Sequence, residues 1–164
     1  MLPDLLRADL RIVFCGSAAG AASAARGAYY AGPGNRFWSI LAKTGLTPRR
    51  LQPEEFPLLL SFDIGLTDVV KTVSGADAEL PAHAFDRARL LASMRQVQPG
   101  CLAFNGKQAA RIAFGMRTGH LPYGPAPALD GIPFTVVLPS TSGAASGFWD
   151  SAPWFDLARR LRTA

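Results

Sequence analysis

Metal-binding side chains are scarce in this sequence, which has only two cysteines, Cys15 and Cys101, and two histidines, His83 and His120. Their spacings make no zinc pattern and two thiols cannot hold an iron–sulfur cluster, so neither a metal nor a cofactor is expected. Each cysteine lies in an apolar run (Ile12–Cys15 and Cys101–Phe104), which predicts buried, reduced thiols and no disulfide. Long apolar stretches are missing too. No run approaches the roughly 20 residues that a membrane span requires. Asp4, Arg7, Asp9 and Arg11 break up the first residues, so they do not read as a signal peptide. A soluble, cytoplasmic protein is the expectation. Nucleotide and hydrolase fingerprints are also absent: there is no GxxxxGK[ST] and no GxSxG, and the glycines at 16, 20 and 27 do not form GxGxxG.

What is present fits one globular domain over residues 1–164, with 49% hydrophobic residues to supply its core. The 16 glycines and 13 prolines predict a loop-rich chain. A formal net charge of +5, carried by scattered arginines with no basic tail, favours a polyanionic partner without identifying one.

Leu10–Cys15 (LRIVFC), Cys101–Phe104 (CLAF) and Phe134–Leu138 (FTVVL) read as buried strands. Helices are expected over Arg36–Thr44, Pro53–Leu60, Phe85–Val97, Lys107–Phe114 and Trp154–Arg162, with Leu90, Leu91 and Met94 as one apolar stripe. Asp63–Val70 (DIGLTDVV) follows the second helix with no element assigned to it, and the small-residue stretch from Gly16 to Gly34 lacks clean periodicity. Strands alternating with helices predict a three-layer α/β/α sandwich with a mostly parallel sheet of four to five strands. In such sheets ligands bind beyond the carboxyl ends of the strands, so the loops Gly16–Gly34 and Pro139–Gly147 should line one cleft.

The segments FCGSAAG, YYAGPGNRFW, GLTDVV, AFNGKQA and VLPSTSGAAS occur in that order across about residues 10–160. In order and spacing this resembles the mismatch-specific uracil/thymine-DNA glycosylases, within the uracil-DNA glycosylase superfamily. The resemblance implies a metal-free enzyme of base excision repair that acts on DNA containing uracil or a mismatched base; one compact basic domain makes a monomer the default expectation. Such an enzyme flips the base out of the duplex and hydrolyses its glycosidic bond by water attack. It implies a base pocket made by Gly16, Ala18, Ala19, Gly20, Tyr30 and Asn35, with Tyr30 as the aromatic platform. Packing would equally account for Tyr29-Tyr30, and helix capping for Asn35. Ser140, Thr141, Ser142, Gly143 and Ala144 would meet the DNA backbone, with Lys107, Arg111 and the arginines of the last helix as further contacts. A plain Ser/Gly turn is the alternative for that loop. The family's bulky wedge position holds only Ala144.

One departure bears on catalysis. The family's first motif carries a water-positioning Asn where this sequence has Ala18, in GSAAG. A carboxylate near the sugar could replace it by activating water and stabilising an oxocarbenium-like sugar. Asp68, inside GLTDVV, is the first choice as general base, unless it serves as a cap or an ion-pair partner of Lys71. Asn35 and Ser17 are further catalytic candidates, whereas Asp4, Asp9, Glu54, Glu55, Asp77, Glu79 and Asp86 look peripheral. Three readings follow: an active glycosylase, a damaged-base or abasic-site binding protein that lost catalysis, and a nucleoside hydrolase on the same scaffold.

Overall fold

Inward-facing residues alternate along the strands and build a core on each face of a sheet. The computed structural model describes residues 2–71, 84–116, 119–129, 131–132 and 134–163; Asp77, Glu79 and His83 lie outside them. The order is β1 (Ile12–Gly16), α1 (Ala21–Arg26), α2 (Phe37–Lys43), a 3-10 helix (Pro53–Phe62), β2 (Ile64–Asp68), α3 (Ala84–Val97) and β3 (Leu102–Asn105). It continues with α4 (Lys107–Phe114), β4 (Gly124–Ala126), β5 (Thr135–Leu138), a short 3-10 helix (Gly143–Phe148) and α5 (Ala152–Thr163). The strands form a 5-stranded sheet in the order β2-β1-β3-β5-β4, parallel except for β4 against β5.

Ile12 and Phe14 point to one face, where Phe37, Trp38 and Leu41 of α2 and Trp154, Leu157 and Leu161 of α5 cover them. Val13 and Cys15 point to the other, against Leu90, Leu91 and Met94 of α3 and Ala109, Ala110 and Ala113 of α4. Burying each large apolar side chain contributes about 1.5–3 kcal/mol, so two-sided burial outweighs the weak propensities of such short strands. The result is the expected α/β/α sandwich. Cys15 and Cys101 are both free and buried, on opposite faces. Burial pushes the Cys101 thiol up to about 12, which keeps it protonated. No helix among the described residues is long and apolar enough to cross a membrane.

Three elements depart from the sequence expectation. β2 lies in Asp63–Val70, to which the sequence assigned no element; Gly65 and Asp68 lower its strand propensity while serving the local packing. A Cβ on Gly65 would come within 2.6 Å of Leu10 Cδ1 and 2.8 Å of the Leu5 carbonyl. That contact lets Leu5 exchange two backbone hydrogen bonds of 2.9 Å with Leu66, covering the edge of β2. β4 reads Gly-Pro-Ala, a poor strand sequence that an edge position tolerates. α1 is a short helix of small residues inside what was expected to be open loop.

Trp154 joins one core to the loop after β5. Its ring stacks 5.5 Å from Phe14, and its indole N–H donates to the Pro139 carbonyl at 3.0 Å. Trp154→Phe should therefore cost about 1–3 kcal/mol, by leaving that carbonyl unpaired and the site underfilled. Urea unfolding should register this as a lower midpoint with an unchanged slope.

Candidate active site

The loops that leave β1 and β5 meet over the carboxyl ends of the strands and enclose a cleft of about 610 Å³. Gly16, Ser17, Ala18, Ala19, Gly20, Tyr30 and Asn35 line it from the first loop, and Ser140, Thr141, Ser142, Gly143 and Ala144 from the second. Asp68, at the end of β2, and Lys107, at the start of α4, also line it, whereas Arg111 does not. Pro33 and Asn105, inside the segments YYAGPGNRFW and AFNGKQA but assigned no role from them, also line the cleft, as does Phe148, which nothing in its local pattern marks. The loops touch directly. The Arg36 N–H donates to the Thr141 carbonyl at 2.8 Å, and a Cβ on Gly143 would come within 2.7 Å of the Pro33 carbonyl.

The two adjacent tyrosines separate in role. Tyr29 is core: its hydroxyl donates to the Pro3 carbonyl at 2.8 Å and its ring packs 5.3 Å from Phe56. Tyr30 lines the cleft with its ring 4.1 Å from that of Phe37, which is itself wedged between Trp38 and Trp154. Its backbone is left-handed, φ 51°, a conformation that costs a non-glycine residue about 1–3 kcal/mol. Packing against Phe37 holds it there. Among the described residues the Tyr30 hydroxyl is buried without a hydrogen bond of ordinary geometry, and the second N–H of the nearby Asn105 amide, whose other donor and oxygen serve Thr141, is a polar influence on it. Burial, reinforced by Asp68, pushes the phenol well above its usual range, so it stays neutral.

Asp68 is 3% exposed, and its two oxygens face different ways. Oδ2 accepts from Lys71 Nζ at 3.1 Å, while Oδ1 points at Gly16, where a Cβ would come within 2.8 Å of it and 3.2 Å of the Tyr30 hydroxyl. Gly16 is the residue that lets the carboxylate reach the cleft. Lys71 is itself almost buried, and also contacts the Leu2 carbonyl (2.9 Å), the Tyr29 hydroxyl (3.0 Å) and Asp4 (2.9 Å). Asp4 accepts from Thr67 Oγ1 at 2.7 Å, and Arg89 donates to the Asp68 backbone carbonyl at 2.5 Å. Asp4 is thus not peripheral, and Asp86 is buried at 2% exposure; lone acids in polar sequence gave no sign of either. Desolvation raises the Asp68 carboxyl above its ordinary value, with Lys71 pulling it back down.

Asn35 does act as a cap: its Oδ1 accepts from the Phe37 N–H at 3.0 Å, at the start of α2. That leaves its NH₂ to donate into the cleft and one lone pair on its oxygen. Ser17 is buried, and Ala18 packs against the α3/α4 core. Asn105 clamps the second loop, accepting from the Thr141 N–H at 3.0 Å and donating to its hydroxyl at 2.9 Å. Thr141 is thereby turned inward, leaving Ser140, Ser142 and Gly143 as the outward donors of that loop. Lys107 stands 4.4 Å over the Tyr123 ring. The arginines of α5 do not line the cleft: Arg160 covers Phe134 and Arg162 bonds the Thr44 carbonyl. Among the described residues, no group of three or more His, Cys, Asp or Glu side chains could hold a metal ion.

The arrangement offers a flat aromatic surface, amide donors and a buried carboxylate within one cleft, and comparison with known proteins identifies the scaffold. A solution NMR structure of a candidate uracil DNA glycosylase from Methanosarcina acetivorans is similar in fold. It has a TM-score of 0.63 and 23% identity, over 98% of this chain and 96% of that one. The family profile described as the Uracil DNA glycosylase superfamily matches residues 3–158. The chain belongs to the uracil DNA glycosylase superfamily.

Proposed function

We propose that this chain is a monofunctional, mismatch-specific type of DNA glycosylase in which Asp68 replaces the usual water-positioning Asn. Its substrate is DNA carrying uracil or another deaminated base. The observation that carries this reading is the convergence of the Tyr30 ring and the Asp68 Oδ1 on Gly16, inside one cleft. A base swung out of the stack lies on Tyr30, where the Asn35 NH₂ and the backbone amides of Gly16–Gly20 are placed to donate to its edge. Asp68 accepts a proton from water as the water oxygen bonds to C1′ of the deoxyribose. The C1′–N bond breaks, its electron pair leaves with the base, and the base takes up a proton. The same carboxylate stabilises the positive charge that develops on the sugar. Ser140, Ser142, Gly143 and Ala144 border the bound strand, and Lys107 adds positive charge beside it. Lys71 is surrounded by acceptors, so it serves as a counter-ion and does not attack C1′. The protein acts as a monomer, in the compartment that holds the DNA.

A second reading draws on Ala18, which cannot orient water: a protein that holds damaged bases or abasic sites without cutting. Incubation with oligonucleotides carrying one uracil, followed by alkali, separates the two. Strand breaks support the glycosylase; tight binding without breaks supports the binding protein.

Asp68→Asn should lower the single-turnover rate by about 10²–10⁴-fold while leaving affinity for an abasic-site analogue nearly unchanged. A normal rate would remove Asp68 from the mechanism.

The pH dependence has a definite sign. The Asp68 carboxyl is raised in the folded protein, so its acidic form is favoured there more than in the unfolded chain. This site adds stability at pH values below the ordinary carboxylate range, and that contribution is lost as pH rises through the raised value. Activity needs the ionised form and should fall on acidification in a limb above the usual carboxylate pKa. Lys71→Met should move that limb further up. Its thermal destabilisation relative to wild type should be largest at neutral pH, about 3–5 kcal/mol, and shrink as pH is lowered.

Gly16→Ala should displace Asp68 or Tyr30, reducing the cleavage rate more than about tenfold through loss of site geometry. Comparison of single-turnover rates with melting temperatures distinguishes this from simple unfolding.

A further inference from the structure

Among the described residues Phe148 is the most exposed large apolar side chain, at 78%, well beyond Leu58 at 46% and Tyr123 at 37%. A solitary exposed hydrophobic residue is ordinary. This one, however, stands on the rim of the cleft that holds Tyr30 and Asp68.

Its mounting is firm. The short 3-10 helix Gly143–Phe148 is capped by Ser142 Oγ, which accepts from the Ala144 N–H at 3.2 Å, and Ser146 Oγ donates to the Gly143 carbonyl at 2.7 Å. Arg36 reaches across from α2 to donate to Ser146 Oγ at 3.1 Å. The next residue, Trp149, is anchored by the Arg36 guanidinium 5.4 Å from its ring and by Trp154 at 6.3 Å. A fully exposed ring thus projects from a base tied on both sides. Arg36 and Lys43 also line a separate small pocket with Ser39, Ser151 and Trp149, and its two cations suit phosphate groups.

We propose that Phe148 is the side chain that enters the base stack beside the extruded nucleotide, a role for which Ala144 is too small. The proposal rests on the DNA glycosylase reading above. A gap left in a duplex exposes the faces of the flanking bases, and a planar apolar ring recovers the stacking that a methyl group cannot. Duplex DNA has such a gap to fill and single strands do not, so Phe148 should matter mainly for duplex.

The test uses a duplex carrying a tetrahydrofuran abasic analogue with 2-aminopurine on its 3′ side, and the matching single strand. Wild-type protein should change the 2-aminopurine emission on binding. F148A should abolish that change and weaken duplex affinity by about 10- to 100-fold, with single-strand affinity within about twofold of wild type. F148W should restore the emission change. An unchanged melting temperature is expected for each variant, because the ring makes little contact with the core. Two results would overturn the proposal: no emission change with wild type, or an F148A that behaves as wild type or loses both DNA forms equally. Uracil release by wild type is scored separately, so failure of the glycosylase reading would show as absent strand breaks while these emission changes still decide the role of Phe148.

Discussion

A carboxylate buried in an apolar interior keeps its charge only beside a compensating cation, and the floor of this cleft is arranged around that requirement. Lys71 meets it for Asp68. Its ammonium lies among Asp68, Asp4, the Tyr29 hydroxyl and the Leu2 carbonyl, contacts of 2.9–3.1 Å that satisfy its donors and fix its position. Because Lys71 occupies one Asp68 oxygen, the other is left for the cleft. The two roles foreseen for Asp68, ion-pair partner of Lys71 and resident of the pocket, are divided between its two oxygens and do not compete. Arg89, from α3, grips the backbone at the same point and joins the helical layer to the end of β2.

Around this charged floor the walls are held by neutral contacts. Asn105, at the end of β3, uses both ends of its amide on Thr141, so the second loop takes its position from the sheet. Tyr30 is held in a left-handed conformation by an aromatic stack running through Phe37 into the core. Glycines appear where backbone and side chains must nearly touch, at Gly16 below Asp68 and at Gly143 against Pro33. The surroundings enforce local strain because the core behind them is close-packed.

Much of this was legible in the sequence. Short apolar runs bounded by glycine or proline placed β1, β3 and β5, the helical stripes of α2 and α3 were periodic, and strand-loop alternation located the cleft. Gly65 and Asp68 hid β2, since residues chosen for a close approach and a buried charge are poor strand formers. Asp4 could not be recognised either. Its importance arises from a contact with Thr67 and Lys71 across more than 60 residues of chain, and neither its neighbours nor its spacing reflect that. Asn105 and Phe148 were missed for a related reason. A clamp or a projecting ring is defined by what stands opposite it in space, which periodicity does not encode.

The strap formed by Leu2, Asp4 and Leu5 across the edge of β2 makes the charge state of the cleft depend on the first residues of the chain. If that strap lifts, Lys71 loses the Leu2 carbonyl and Asp4 together, and the edge of β2 loses the backbone cover from Leu5. The ammonium then keeps only Asp68 and the Tyr29 hydroxyl of its four acceptors, a thinner shell for a buried cation. The ion pair beneath the cleft is therefore fastened by contacts made at the edge of the sheet, more than 60 residues away along the chain.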